Sequence, residues 1–325
     1  MIFRSAGRCA VMLAASVLVF SLGVSSVVAQ SQTKPATSPA THETITIGGG
    51  PPFGFYFAVA GSICERAQGP NLRCQVESNA NSIENLRALR AGRVDFAIVQ
   101  SDWLLQARKG TGVFHDAGAD KSLRTVLSLH GEALSVFVRD DAIKTLSDLR
   151  GKRINLGPPT TYHRMYLGML LRSLNLDRDD FAKVVEIDAM AQEKAFCAGE
   201  IDIAAIVTAH PSAAVATLIK RCGAKLLPIP DAVVKKIIAG RPELSHLVIP
   251  GDAYGAVRTL SFGVRAVLAS RANVSTHVVE TVFRAVRDDL DRYRNSHAAF
   301  ATLDAAALTQ GLKGVMTHKG AASAK

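Results

Sequence analysis

Four clusters in this sequence suit the noncovalent capture of a small polar solute. Gly48-Gly49-Gly50 follows Ile45-Thr46-Ile47, Gln100-Ser101-Asp102 follows an apolar run over 94–99, Thr160-Thr161-Tyr162 follows the strand-like run 153–156, and Thr208-Ala209-His210 follows one over 201–207. Glycine lets backbone N–H groups approach an acceptor closely, and hydroxyl and amide side chains add neutral donors. A carboxylate ligand also wants a fork-shaped cation. The candidates are therefore Gly48, Gly49 and Gly50 as a backbone cradle, with Ser82, Gln100, Ser101, Thr160, Thr161 and Thr208 as donors. Arg164, one turn beyond the Thr160-Thr161 cluster, is the expected bidentate partner. His163 and His210 are further donors, each better suited to a structural bond than to a ligand contact. Tyr56, Tyr162 and Tyr254 are expected as walls, and Trp103 is expected to pack beneath the site.

Catalytic signatures point elsewhere. The sequence has no GxSxG elbow, HExxH pair, P-loop or GxGxxG fingerprint, and Gly48-Gly49-Gly50 has the wrong spacing for a dinucleotide loop. A binding role is expected rather than an enzyme, with no cofactor and no metal. A secreted enzyme on the same fold is the rival from another class.

The clusters need elements to position them. Residues 44–47 read as a strand, 74–77 as a second, and 94–99 as a buried third, with helices between them. Asn81 or Ser82 caps the middle helix, whose Ile83, Leu86 and Leu89 share a face, and Gly92 ends it in the left-handed conformation. The phrase then repeats: Ala91-Gly92-Arg93-Val94-Asp95-Phe96-Ala97 is matched by Ala198-Gly199-Glu200-Ile201-Asp202-Ile203-Ala204. A shorter relative lies between them, with Thr145 as cap, Gly151 as stop and 153–156 as strand. Alternating strand and helix predicts an α/β fold with parallel sheets, and ligands in such sheets sit outside the carboxyl ends of the strands. The repeat predicts two lobes, residues 44–134 with 260–325 and an inserted 135–259. They are joined by crossings at 134–138 and 260–264. A helix over 276–293 is expected to bury Val279, Val282, Phe283, Val286 and Leu290.

Composition bounds the class. The 325 residues are 48% hydrophobic and 20% charged, enough apolar content for a large core and too much for wholesale disorder. Residues 1–29 read as a secretory signal peptide: Arg4 and Arg8 precede an apolar stretch over 10–19, and Val27-Val28-Ala29 places cleavage before Gln30. An uncleaved anchor is the alternative, weakened by Ser21, Gly23, Ser25 and Ser26. Residues 30–43 read as a flexible tether. Loss of Arg4 and Arg8 takes the net charge from +10 to +8. That field favours anionic ligands or simply a solvated basic surface. Aromatics at 6% and the absence of Lys/Arg runs weigh against nucleic acid.

Export fits the cysteines. Cys64, Cys74, Cys197 and Cys222 remain after Cys9 is removed, and four cysteines allow three connectivities. Cys64–Cys74 and Cys197–Cys222 are favoured because each pair lies within one strand–helix–strand stretch, with buried free thiols as the alternative.

The assembled phrases resemble the TAXI-type solute-binding proteins of TRAP transporters. The resemblance rests on Ile45 to Gly50 with Gly54-Phe55-Tyr56-Phe57, on Glu77-Ser78 through Ser82 with Asn85-Leu86, and on Gly92, Asp95 and Gln100-Ser101-Asp102-Trp103. It extends through residues 144–157 and Ile249-Pro250-Gly251 to His318-Lys319-Gly320-Ala321, and both cysteine pairs look like those of one branch. Pro51-Pro52-Phe53 and Thr160-Thr161-Tyr162 depart from the family's usual loops. The resemblance implies a type II-like two-lobed periplasmic binding protein, monomeric, located in the periplasm. It also implies capture of a small organic anion, glutamate-like or dicarboxylate, and delivery to a TRAP membrane permease. A ligand-sensing protein without transport is the alternative.

Overall fold

Short apolar runs alternating with amphipathic helices build two parallel ladders, visible in a computed structural model that describes residues 43–52, 54–159 and 161–324. The signal-peptide expectation, the tether expectation up to residue 42 and Thr160 lie outside the described residues; Glu43, expected as the last tether residue, instead opens the first strand. In chain order the first half contains β1 (Glu43–Gly48), α1 (Phe55–Ala67), β2 (Leu72–Glu77), α2 (Ser82–Ala91), β3 (Phe96–Gln100), α3 (Ser101–Lys109) and β4 (Leu123–Val138). Next come β5 (Arg153–Asn155), α4 (Tyr162–Ser173), β6 (Lys183–Val185), α5 (Ala189–Cys197), β7 (Ile203–Thr208) and α6 (Ala213–Cys222). They lead to β8 (Lys225–Leu226), α7 (Asp231–Ile238), β9 (Leu244–Ile249), β10 (Thr259–Arg271) and α8 (Thr276–Arg287).

The strand order is β2-β1-β3-β10-β4-β7-β5-β6, with β9 on β10 and β8 on β4. β2-β1-β3 and β7-β5-β6 are parallel, whereas β10 and β4 run antiparallel to each other and to their outer neighbours. The crossings expected at 134–138 and 260–264 are therefore parts of two long strands of 16 and 13 residues. Each long strand feeds two hydrophobic cores. Val126, Leu127, Leu129, Ala266 and Leu268 join Ile45, Ile47, Val59, Ile63 and Phe96. Leu134, Val136, Val138, Phe262 and Val264 join Ile154, Leu167, Leu170, Ile203 and Val207.

The repeated phrase has a physical job in both halves. Gly92 and Gly199 both take φ of 74°, so each ends its turn in a conformation that costs other residues a clash. Three residues later, Asp95 accepts from the Thr46 amide and Asp202 from the Arg153 amide, each at 2.9 Å. Each aspartate thus pins its strand to the parallel neighbour. The repeat reaches further back than its letters. Asn85 and Gln192 stand at equal distance before the two glycines, both buried. Asn85 Nδ2 donates to the Ile98 carbonyl at 2.8 Å, and Gln192 Nε2 donates to the Ala205 carbonyl at 3.2 Å. Buried amides must find such partners.

Both disulfides are Cys64–Cys74, tying α1 to β2, and Cys197–Cys222, tying the ends of α5 and α6, with Cα atoms 5.0 and 4.7 Å apart. Val279, Val282, Phe283 and Val286 are buried on α8 as the stripe requires. The helix does not run to 293. It stops at Arg287, and Leu290 opens a separate short helix after Asp288-Asp289.

Candidate functional site

The carboxyl ends of the parallel strands converge on one cavity of about 420 Å³. Gly50 and Pro51 follow β1, Asn81 and Ser82 follow β2, and Gln100 ends β3. From the other half come Thr161 and Tyr162 after β5, and Val207, Thr208 and Ala209 at the end of β7. This is the place where open α/β sheets bind ligands. Phe55, Tyr56 and Trp103 complete the walls, and Glu132 on β4 supplies a carboxylate.

Glu132 is buried, at 7% exposure, within a strand that is buried along most of its length. Gln100 Nε2 donates to its Oε2 at 2.6 Å, and His130 Nε2 lies 3.5 Å from Oε1. Burial works against its charge. His130, Tyr56 and Gln100 around it outweigh that and hold the carboxyl below its usual range. The Gln100 backbone N–H donates to Ser82 Oγ at 3.2 Å, which fixes the main chain that carries this side chain. The Tyr56 hydroxyl and both His130 ring nitrogens are buried and lack a well-formed hydrogen bond among the described residues. Burial first, then the Glu132 charge, pushes the Tyr162 hydroxyl up to about 12.

Of the expected residues, Gly50, Tyr56, Ser82, Gln100, Thr161, Thr208 and Tyr162 line this cavity. Gly48 and Gly49 do not line it but make it possible. A Cβ on Gly48 would strike Asn85 Oδ1, and one on Gly49 would press on Phe57 and Val76. Asn85 Nδ2 fills that space, donating to the Gly49 carbonyl at 2.9 Å.

Five more of the residues considered lie outside this cavity. Arg164 points away from the cavity: its Nη1 lies 2.8 Å from Glu186 Oε1 and 3.1 Å from the Gly157 carbonyl. Ser101 is a structural link, donating to the Glu243 carbonyl at 2.7 Å and accepting from the Arg265 amide at 3.2 Å. His210 and Tyr254 bond each other at 2.8 Å, and His210 Nε2 reaches Ser135 Oγ at 3.0 Å, outside the cavity walls. Burial takes the His210 imidazole down to about 4 and so keeps it neutral. His163 is also structural: its Nδ1 accepts from the Val207 amide at 2.9 Å, and burial lowers it to about 4. Trp103 moves the other way, from expected support to a wall. Glu132 is the one charged residue among the described lining residues, and it stands outside the expected set, as do the lining residues Phe55 and Asn81.

Two further features frame the site. A second cavity of about 610 Å³ lies against β9 and β10 and includes His210, Arg258 and Arg265. Few ends of the parallel strands reach it, so the smaller cavity is the better ligand site by position. Beneath that smaller cavity, Tyr166 of α4 donates to Asp102 Oδ2 of α3 at 2.9 Å, joining the two halves. Among the described residues no group of three or more His, Cys, Asp or Glu is placed to hold a metal, and no helix is long and apolar enough to cross a membrane.

Solved structures share this architecture. The chain is similar to the putative sulfonate ABC transporter periplasmic sulfonate-binding protein SsuA from Methylobacillus flagellatus KT. Sequence identity is 15%, coverage is 79% of this chain and 73% of that one, and the TM-score is 0.50. The periplasmic aliphatic sulphonate binding protein SsuA from Escherichia coli is also similar at 15% identity, covering 82% of this chain and 81% of that one, with a TM-score of 0.49. The fold is thus the α/β fold of the two-lobed periplasmic binding proteins. The model of the NMT1-like family matches residues 47–324, and the chain belongs to that family.

Proposed function

We propose that this protein is an extracytoplasmic solute-binding protein that takes a small organic solute into the Glu132 cavity and hands it to a membrane permease. The observation that carries the reading is the convergence of strand ends from both repeated halves on one cavity, with a buried, oriented carboxylate and a buried tyrosine beside it. Residues 44–134 with 260–325 and residues 135–259 act as two lobes that close about β4 and β10. Gly131 and Gly263 support this: a Cβ on Gly263 would collide with the Glu132 carbonyl, and β10 shifts register against β4 between Arg265 and Val267. Close approach and a bulge at one crossing suit a hinge.

The partner proposed on the TAXI resemblance is an ion-gradient-driven TRAP permease. A second reading, an ATP-driven importer, is favoured by the likeness to the sulfonate-binding protein of M. flagellatus. The ligand expected from sequence was an organic anion; its anchor, Arg164, is committed to Glu186. The chain is exported by residues 1–29 and cleaved before Gln30. Native mass spectrometry of protein isolated from the periplasmic fraction tests the reading. The expected result is a chain starting at Gln30 carrying a retained small solute. Recovery of an uncleaved membrane species that binds nothing would refute it.

A further inference from the structure

The cavity carries one formal charge among its described lining residues, and that charge is negative. Glu132 faces side chains and backbone that are otherwise neutral: Gly, Pro, Ala, Val, Ile, Ser, Thr, Asn, Gln and aromatic residues. Among the described residues no Lys or Arg nitrogen lies within 4 Å of it, and His130 is the nearest basic group, at 3.5 Å. A carboxylate offers about four lone-pair sites. Gln100 occupies one, and His130 and Tyr56 stand against two more, which leaves one for a ligand. The guanidinium that would balance an anionic ligand here is paired with Glu186 instead.

The walls suit the opposite sign. Phe55, Tyr56, Trp103 and Tyr162 surround a buried carboxylate. Aromatic faces attract cations, and more strongly where water is excluded. An anion placed in this cavity would meet Glu132 with no fixed cation between them, and like charges at short range in a low dielectric repel strongly. The field of Glu132 reaches both cavity tyrosines, since it helps to raise the hydroxyls of Tyr56 and Tyr162.

We propose that the solute presents a nitrogen cation to Glu132, as a protonated amine, an amidinium or a cationic heterocycle, with its body between the aromatic walls. This rests on the reading of the chain as a solute-binding protein and names the class of its ligand. Gln100 is a positioning residue that holds the carboxylate, and Tyr56 stands beside it in the wall.

Matched probes test it. Benzamidine, benzylamine and choline are titrated by calorimetry against benzoate, succinate and benzyl alcohol at pH 7.5. At least one cation is expected to bind more tightly than every anion and neutral probe. Glu132→Gln keeps the shape and should weaken the best cation at least tenfold. Tyr162→Leu, at the more exposed edge of the wall, should weaken it severalfold without disturbing the core. Thermal unfolding by circular dichroism confirms that both variants are folded. Cation binding unchanged in Glu132→Gln would mean that His130 already neutralises the carboxylate, and would overturn the proposal. So would binding by benzoate or succinate but by no cation, or binding by no cation at all. Failure of the solute-binding reading shows separately, as protein from the periplasm that retains no solute of any charge.

Discussion

Tyr166→Phe removes one oxygen from the link between the two halves, and its cost should depend on pH. Tyr166 is fully buried, and its hydroxyl donates to Asp102 Oδ2 at 2.9 Å. Asp102 is itself buried at 4% exposure, with its other oxygen 2.8 Å from the Trp103 amide. Burial pushes its carboxyl from 3.8 to about 6, while the Tyr166 and Trp103 bonds pull the other way. The folded state therefore disfavours the charged form, so the contribution of Asp102 to stability falls as pH rises from about 4 to about 6, and then levels. Above about pH 6 the Tyr166 bond goes to an ionised group and is worth about 1.5–3 kcal/mol; well below that pH it goes to a protonated carboxyl and is worth about 0.5–1.5 kcal/mol. The variant should lose about 2 kcal/mol at pH 7.5 and about 1 kcal/mol at pH 4.5. At about 2–4 °C per kcal/mol, the melting temperature should drop by about 4–8 °C at pH 7.5. Urea unfolding followed by far-UV circular dichroism at both pH values measures the difference. Equal losses at the two pH values, or none, would refute the placement of a buried carboxylate at this bond.

Three other outcomes follow from the geometry. Arg164→Ala should change the affinity for the retained solute by less than about threefold, because a half-exposed surface ion pair contributes about 0–1 kcal/mol and does not face the cavity; calorimetry checks this. Asn85→Ala leaves the Gly49 and Ile98 carbonyls without their buried donor and should cost about 3 kcal/mol in urea unfolding. Replacing Cys197 and Cys222 together by serine should cost about 2–3 kcal/mol, and non-reducing peptide mapping of the exported protein should recover both bridges.

The repeat was legible in the sequence because glycine and aspartate spacings are dictated by backbone chemistry: one residue for positive φ, one to bond a neighbouring strand. Its deeper part, Asn85 against Gln192, was hidden because two different amides do the same work. The cavity's strand ends were legible too. The orientation of side chains within the first turns of the helices was misjudged, although helical geometry contains it. At about 100° per residue, Tyr162 and Arg164 face nearly opposite ways, as do Ser101 and Trp103. If one of each pair lines the cavity, the other cannot, and here Tyr162 and Trp103 line it. Glu132 was not legible because only residues 134–138 of its strand are continuously strand-like in sequence, whereas the strand begins at Leu123 and passes through Arg124, Ser128 and His130. The break of the last long helix at Asp288-Asp289 had no clear sign in its apolar stripe, which continues through Leu290.

Trp103 is the chain's single tryptophan and stands in the cavity wall, so its emission reports directly on whether the solute sits there. Solute released by heat from protein purified out of the periplasm, and titrated back into ligand-free protein, should shift Trp103 fluorescence saturably with one site per chain. Thr208→Phe, which fills the cavity from β7, should abolish the shift. Solute binding by calorimetry with Trp103 emission unchanged, or undiminished binding to Thr208→Phe, would contradict the claim that this cavity is where the protein holds its ligand.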